Sequence, residues 1–318
     1  MPSPFATEIR AIGADHPDYP AGLRDLDDAP ATLFTCGSLP APPARSVAIV
    51  GSRAATPYGR AMAERLASDL ARLGFAVVSG LARGIDAAAH LGAMEAGGRT
   101  WAVVPSALDD VTPRHHQDLA MSIAARGGLL SEIASGEPTY KATFLLRNRL
   151  IAALACATVV VEAAQRSGAL STAAAALRLG RAVLAVPGDV DRETSRGCHA
   201  LLRRGATLCE SAADVVRAAE AWPGGDRRND MPLRDGTEVV SVRSRAGGAT
   251  RHAAPASGEE EPIESRLLEC LGSKPETTES LAQKAGVGLP QVMAALLALQ
   301  WSGAVEQRPG QRWVRSDP

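Results

Sequence analysis

One stretch, residues 47–90, decides the fold: VAIVGSRAATPYGRAMAERLASDLARLGFAVVSGLARGIDAAAH. An apolar run, Val47–Val50, ends in a turn and is followed by an amphipathic segment. A second apolar run ends in a similar turn and leads into another helical segment. This strand–turn–helix pattern, present twice, predicts two parallel strands whose turns lie at the carboxyl edge of a sheet, where open α/β folds bind ligands. Helix N-termini at that edge offer free N–H groups to an anion.

The same alternation continues from Ser46 to about Trp222 and predicts a doubly wound, mostly parallel sheet. The predicted strands are Val47–Val50, Phe75–Val78, Thr100–Val104, Gly128–Ser131, Thr158–Val161, Ala182–Val186 and Thr207-Leu208. The predicted helices are Tyr58–Leu73, Ile85–Ala96, His116–Ala125, Asn148–Ala155, Thr172–Leu179 and Cys198–Arg203. Several of these strands are short apolar runs, which is typical of strands covered on both faces.

The segments on either side have a different composition, so we expect four regions. Residues 1–44, rich in Pro, Ala and Asp, predict an N-terminal arm that packs on the core, residues 45–222. Residues 223–262 lack apolar periodicity and predict a flexible linker. Residues 263–318 predict three helices, Ile263–Leu271, Thr278–Ala285 and Leu289–Trp301, followed by a hairpin around residues 304–314. This order is typical of a winged helix-turn-helix domain.

Composition favours a cytoplasmic protein. The five cysteines form no CxxC pair and have no metal-ligand spacing, so we expect reduced thiols and no metal. No signal peptide and no long apolar span is evident, so we expect no membrane segment. The net charge is −1, but residues 45–222 carry a small excess of basic residues. This distribution indicates a local electropositive site rather than a broad basic surface.

The first turn, Gly51-Ser52-Arg53, is a candidate phosphate site, because a serine hydroxyl and an arginine fork can both bind phosphate oxygens. Its spacing fits neither a dinucleotide-binding motif nor a P-loop, so no nucleotide cofactor is expected. An ordinary turn after a strand is an equal alternative. The second turn, beginning at Ser79-Gly80, is a further candidate. Asp86 and His90 follow it on one helical face, and we interpret them as scaffolding because no third ligand is in view.

The cluster at residues 141–149 carries the strongest signal. It combines Lys141, Phe144, Arg147, Asn148 and Arg149 in a chain that has only three lysines and 3% aromatic residues. A phosphate backbone attracts cations, and an unpaired base stacks on a flat ring. The alternative is a surface turn that leads into a helix, with Phe144 in the core.

Ser167 and Gly168 lie in another small-residue turn, at the end of the strand that precedes Thr172. Their N–H groups are candidates for a phosphate, and a simple helix cap is the alternative. Small or cationic residues follow several of the predicted strands. Together they indicate a phosphate-binding site more strongly than any one of them alone.

Read together, these motifs resemble the DprA (Smf) family of DNA-processing proteins. The motifs appear in order as GSR at 51–53, SGLARGIDAAAH at 79–90, RNRLIAAL at 147–154, VVEA at 160–163, SGAL at 167–170 and AVPGD at 185–189. The resemblance implies an extended Rossmann-like fold that binds single-stranded DNA in a basic pocket, without enzymatic activity. It also implies a homodimer that protects incoming DNA and loads the recombinase RecA during natural transformation. Arg53, Lys141, Phe144 and Arg147 are similar to the family's DNA-contacting cations and ring.

Two other functions stay open at the level of sequence. The first is a nucleotide phosphoribohydrolase with a related core, in which Glu162 or Glu132 would supply the carboxylate; its PGGxGTxxE signature is missing. The second is a sequence-specific regulator that acts through the winged helix. Its expected recognition helix, Leu289–Trp301, contains no Lys or Arg, so we expect that domain to bind protein more than DNA.

Overall fold

The structure, a computed structural model, describes residues 9–222, 263–271, 275–301, 304–308 and 312–315. The chain divides into two compact units, of which the second begins at residue 233. The linker predicted for residues 223–262 lies outside the described residues, as do residues 309–311, which include the predicted hairpin turn.

The first unit is built on one nine-stranded sheet. Its strands are β1 (Arg10–Gly13), β2 (Thr32–Gly37), β3 (Ser46–Val50), β4 (Ala76–Ser79), β5 (Thr100–Val103), β6 (Gly128–Ser131), β7 (Ala157–Val160), β8 (Ala182–Ala185) and β9 (Thr207–Leu208). Their spatial order is β1-β2-β6-β5-β4-β3-β7-β8-β9. From β6 to β9 in this order all neighbours are parallel, which confirms the predicted mostly parallel, doubly wound sheet.

Seven α-helices belong to this unit within its described residues. They are α1 (Pro57–Arg72), α2 (Ile85–Glu95), α3 (Gln117–Arg126), α4 (Lys141–Ala153), α5 (Ala169–Arg178), α6 (Glu193–Arg203) and α7 (Ala212–Glu220). Helix α1 begins where the sequence supplies a cap, since the Thr56 hydroxyl accepts from the Gly59 N–H and Pro57 occupies the first helical position.

Strand β3 shows why the parallel strands are apolar runs without alternation. All five of its residues are buried. Val47 and Ile49 pack with α1 and α2 on one face, whereas Ala48 and Val50 pack with α4 and α5 on the other. Complete burial of such a side chain stabilises the fold by about 1.5–3 kcal/mol. Helices on both faces therefore select for apolar residues at every position of the strand.

Three features differ from the sequence-based expectation. The N-terminal segment contributes β1 and β2, which the sequence analysis missed; β2 pairs antiparallel with β6 and extends the sheet. Helix α4 begins at Lys141, seven residues before the predicted start, and so contains the whole predicted DNA-binding cluster at residues 141–149. Helix α7 was also missed, although Ser211 and Asp214 form a capping box at its start.

The second unit has the secondary structure of a winged helix. Its elements are α8 (Ile263–Cys270), β10 (Glu276–Thr277), α9 (Thr278–Ala285), α10 (Leu289–Trp301), β11 (Val305–Arg308) and β12 (Arg312–Arg315). The strands form a small sheet in the order β10-β12-β11. Trp313 is buried in its core and donates to the Thr278 hydroxyl over 3.1 Å. Helix α10 directs Val292, Leu296 and Leu299 into the same core.

None of the helices among the described residues is long and apolar enough to cross a lipid bilayer.

Candidate nucleic-acid interface

The loops that follow β3 and β4 are joined at the carboxyl edge of the sheet. The Ile85 N–H donates to the Ser52 carbonyl over 3.2 Å. Gly51 packs so closely that a Cβ at its position would lie 2.8 Å from the Glu162 carbonyl oxygen, which follows β7. A side chain at residue 51 would therefore separate these loops. The glycine is required for close approach of three strand ends rather than for a flexible turn.

Arg53 and Phe144, 91 positions apart in the chain, meet at this edge. The Arg53 guanidinium carbon lies 4.8 Å from the centre of the Phe144 ring, which is the geometry of a cation–π contact. Arg53 is exposed and has no ion pair or side-chain hydrogen bond among the described residues. Lys141 is exposed one helical turn before Phe144, in the first turn of α4. The fold thus combines two available cations and a half-buried aromatic ring on one surface.

Arg147 is not available at this surface, contrary to the prediction. Its side chain is 4% exposed, and its guanidinium donates to the carbonyls of Gly80 and Val103, at the ends of β4 and β5. Burial lowers the pKa of Arg147 to about 10, and the nearby Asp86 carboxylate opposes that shift. Arg147 therefore holds strand ends together from inside the protein.

Asn148 and Arg149 also make internal contacts, in contrast to their predicted role. The Asn148 amide donates to the Gly168 carbonyl over 3.1 Å and to the Ser171 hydroxyl over 2.8 Å, and so anchors α5. Arg149 forms ion pairs with Glu132 at 2.8 Å and with Asp28 at 2.7 Å. The carboxylates, above all Glu132, raise the Arg149 pKa against the effect of burial. Arg149 thus ties α4 to the N-terminal segment and to the end of β6.

Ser79 and Gly80 do not present free donors either. The Ser79 hydroxyl is fully buried and donates to the Ile49 carbonyl over 2.6 Å. The Gly80 N–H donates to Asp86 Oδ2 over 3.1 Å. Burial raises the pKa of Asp86, while Arg147 and the loop N–H groups lower it. Asp86 braces the loop, as the sequence analysis expected.

His90 lies in the core beneath these loops. Its Nδ1 is 2.7 Å from the Thr100 hydroxyl, which itself donates to the Val77 carbonyl, so Nδ1 carries the proton. The Thr100 hydroxyl thus links His90 to the backbone of β4, which fits the scaffolding role expected for His90. Burial lowers the His90 pKa to about 3. The imidazole is thus neutral at physiological pH.

Three other residues predicted to bind DNA are partly accessible at the carboxyl edge of the sheet. Ser52 and Gly168 are partly exposed, as is Ser167. Gly168 directly precedes the first turn of α5, and its N–H has no acceptor among the described residues. Together with Gly51, these residues supply backbone at two neighbouring strand ends, beside the Arg53–Phe144 contact.

The two carboxylates considered for nucleotide hydrolysis, Glu162 and Glu132, both bind other protein groups. Glu162 is 5% exposed, and its two oxygens accept from the Thr56 N–H over 2.9 Å and from the Thr56 hydroxyl over 2.6 Å. Glu132 is paired with Arg149. These contacts give Glu162 a structural task, which is to hold the start of α1 against the end of β7.

Sequence reasoning missed Arg83 as a candidate. It is exposed in the loop after β4 and has no ion pair or hydrogen bond among the described residues. Its neighbour Gly84 packs against the Ser52–Arg53 backbone, where a Cβ would lie 2.3 Å from the Ser52 carbonyl oxygen. Arg83 therefore lies beside the Arg53 loop. The motif SGLARGIDAAAH contains it, but only Ser79, Gly80, Asp86 and His90 were considered there.

Among the described residues, no group of three or more His, Cys, Asp or Glu side chains is arranged to hold a metal ion. The five cysteines are free thiols, and burial raises the pKa of Cys198 to about 12.

Comparison with known proteins identifies the family. The sequence profile of DNA recombination-mediator protein A matches residues 10–220. The chain belongs to this family. The profile of the DprA winged helix domain matches residues 251–311, which confirms the predicted C-terminal fold. The resemblance to DprA (Smf) proteins is therefore confirmed.

Individual relatives agree with this assignment. The chain is 41% identical to a putative DNA processing protein DprA of Mycobacterium tuberculosis over 269 residues, which cover 85% of the chain and 64% of that protein. The chain thus spans less than two thirds of that relative's length. It is 34% identical to the protein Smf of Escherichia coli over 303 residues, covering 94% of the chain and 75% of that protein.

Two solved structures share the fold. The DprA of Streptococcus pneumoniae matches with a TM-score of 0.62 and 38% identity, over 67% of this chain and 75% of that one. The DNA processing protein A of Helicobacter pylori matches with a TM-score of 0.61 and 28% identity, over 70% of this chain and 99% of that one. The latter structure was reported for the single-stranded DNA binding mode of that protein.

Proposed function

We propose that this protein is a non-enzymatic recombination mediator that binds single-stranded DNA at the carboxyl edge of its sheet. The observation that carries the proposal is the contact between Arg53 and Phe144, with Lys141 one helical turn away. Cations neutralise phosphates, and an aromatic ring stacks on an unpaired base of any sequence. A duplex hides its base faces, so this combination suits a single strand.

The residues divide into two roles in this proposal. Arg53 and Lys141 bind phosphates, Phe144 stacks a base, and Arg83 adds a third cation. The N–H groups around Ser52 and Gly168 bind further phosphate oxygens. Arg147, Asn148 and Arg149 act from the interior, because their contacts position the loops on which the first group lies.

We further propose that the protein works as a homodimer, protects incoming DNA in the cytoplasm and loads RecA on it during natural transformation. Family membership supports this part of the proposal, and so do relatives described as DNA processing proteins. Helix α10 buries Val292, Leu296 and Leu299 in its own unit, which favours a role of the winged helix in protein binding rather than base readout.

The test is the salt dependence of binding to an oligonucleotide. Arg53→Ala and Lys141→Ala should each weaken binding and reduce the slope of log K against log salt by about 0.7, the value for one phosphate contact on a single strand. Phe144→Ala should weaken binding by about tenfold and leave that slope unchanged. Fluorescence anisotropy across a salt series measures both quantities.

A matched control is Arg178→Ala. Arg178 is also an exposed arginine, but it ends α5 at the opposite edge of the sheet. It should retain wild-type affinity and slope. Wild-type behaviour of Arg53→Ala and Lys141→Ala as well would refute the proposed interface.

A further inference from the structure

A cavity of about 420 Å³ opens at the carboxyl edge of the sheet, beside the ends of β7 and β8. Strand β3 pairs with β4 on one side and β7 on the other, so the strand order reverses next to this cavity. Open α/β sheets bind ligands at such a reversal. The volume also falls within the range of small-molecule sites, roughly 300–1,000 Å³.

Ser195 supplies a polar group without a partner inside this cavity. Its side chain is 5% exposed and lines the wall. Its N–H donates to the Arg192 carbonyl, but its hydroxyl has no hydrogen-bond partner among the residues that the structure describes. Gly188 leaves the hydroxyl uncovered, since a Cβ at residue 188 would lie 2.4 Å from Ser195 Oγ. The hydroxyl lies at the cavity wall and is therefore available to a ligand that enters the cavity.

The charge of the cavity disfavours a phosphate. Two carboxylates, Glu162 and Asp189, face a single cation, Arg192. Arg192 already pairs with Asp189 over 2.6 Å. No uncompensated positive charge is therefore left on the cavity wall for an anion. The preferred ligand is neutral.

The remaining wall residues favour an aromatic ring. Val161, Val186 and Pro187 provide an apolar wall. Tyr58 lines the cavity with a ring that is 52% exposed, which leaves one face open to stacking. An apolar patch beside an aromatic ring and a hydroxyl matches a nucleobase, which has apolar faces and polar edges.

We propose that this cavity is a nucleobase subsite, in which one unstacked base stacks on Tyr58 and bonds through its edge to the Ser195 hydroxyl. The cavity wall includes Thr56, three residues after Arg53, so it continues the same loop as the proposed phosphate site. The base is either a unit of the bound strand or a free nucleoside. The strand version rests on the proposed function, whereas the nucleoside version does not.

The first arm of the test uses free deoxyadenosine, which carries no phosphate, with the full chain in titration calorimetry. Tyr58→Ala should weaken binding about tenfold, and Ser195→Ala about fivefold. Tyr58→Phe keeps the ring and should bind like wild type. Leu177→Ala is a control, because it removes a similarly exposed side chain from α5. Arg53→Ala should leave nucleoside binding unchanged.

The second arm uses oligonucleotides with 2-aminopurine at successive positions, whose fluorescence is quenched by stacking. Quenching that persists in Phe144→Ala and is lost in Tyr58→Ala and Ser195→Ala places a strand base in the cavity. Nucleoside binding without such quenching assigns the cavity to free nucleosides. Thermal melts confirm that each variant is folded, and Tyr58→Phe supplies a second folded comparison.

The proposal is overturned if wild type neither binds deoxyadenosine nor shows quenching that depends on Tyr58 and Ser195. If Arg53→Ala instead left the affinity for single-stranded DNA unchanged, only the proposed function would be overturned, because nucleoside binding does not involve Arg53.

Discussion

The first half of α4 carries an exposed cation, whereas the second half carries a buried one. Lys141, in the first turn, is exposed, whereas Arg147 is 4% exposed and bonds to the ends of β4 and β5. At about 100° per residue the two side chains point roughly 120° apart around the helix. One faces solvent and the other faces the sheet. Neighbouring cations in a sequence cluster can thus serve binding and architecture separately, and mutation can distinguish the two.

The largest expected effect comes from Arg147→Met. The variant removes the cation beside Asp86 and the two bonds to strand-end carbonyls. We expect the free energy of unfolding to fall by about 3–5 kcal/mol, because two buried carbonyls lose their donor and the nearby Asp86 carboxylate loses a buried cation. Denaturant unfolding measures this change.

A double variant tests the electrostatic coupling between Arg147 and Asp86. Asp86→Asn retains an oxygen that can accept from the Gly80 N–H, so Arg147→Met with Asp86→Asn should recover part of the lost stability. Strictly additive losses would show that the carboxylate and the guanidinium are not coupled.

The buried His90 should make the stability of the protein depend on pH. Its pKa is about 3 in the folded protein, below the ordinary 6.5, so between these values only the unfolded chain binds the proton. Stability should therefore fall as the pH drops below about 6.5, by at most about 1.4 kcal/mol per pH unit from this group. His90→Gln should show a shallower loss in thermal or denaturant unfolding at pH 4–7. An unchanged slope would mean that His90 titrates normally.

Asn148→Ala tests whether the start of α5 contributes to DNA binding as well as to stability. It removes two hydrogen bonds that anchor the start of α5, and we expect a loss of stability of about 1–2 kcal/mol. If the Gly168 N–H binds a phosphate, affinity for single-stranded DNA should also fall, with the salt slope nearly unchanged because no charge is lost. Wild-type affinity in a folded variant would remove the α5 terminus from the interface.

The smallest effect on stability should come from Arg53→Ala. Its guanidinium is exposed and contacts the Phe144 ring, so we expect a change within about 0.5 kcal/mol. The same variant should show a clear loss of affinity for single-stranded DNA. Destabilisation comparable to that of Arg147→Met would abolish the distinction between the two kinds of cation.

The parallel core could be predicted from the amino-acid sequence. Strands β3 to β8 were predicted to within one or two residues, because burial on both faces demands apolar runs and the turns after them demand small residues. The sequence also indicated the family and the presence of a winged helix, through ordered motifs and element order. Strands β1 and β2 were not predicted, because burial along them is uneven and their apolar pattern is weak; β1 is the edge strand and β2 lies next to it.

Which members of the candidate site are available to a ligand depends on the packing of the folded chain. Arg53 and Phe144 are far apart in the chain, so the sequence does not reveal their contact. They meet because the ends of the strands pack closely. Residue type contains no information on exposure either, since Arg53 and Arg147 are chemically identical. What separates them is the low-dielectric interior, where a guanidinium persists only if carbonyls and a carboxylate surround it.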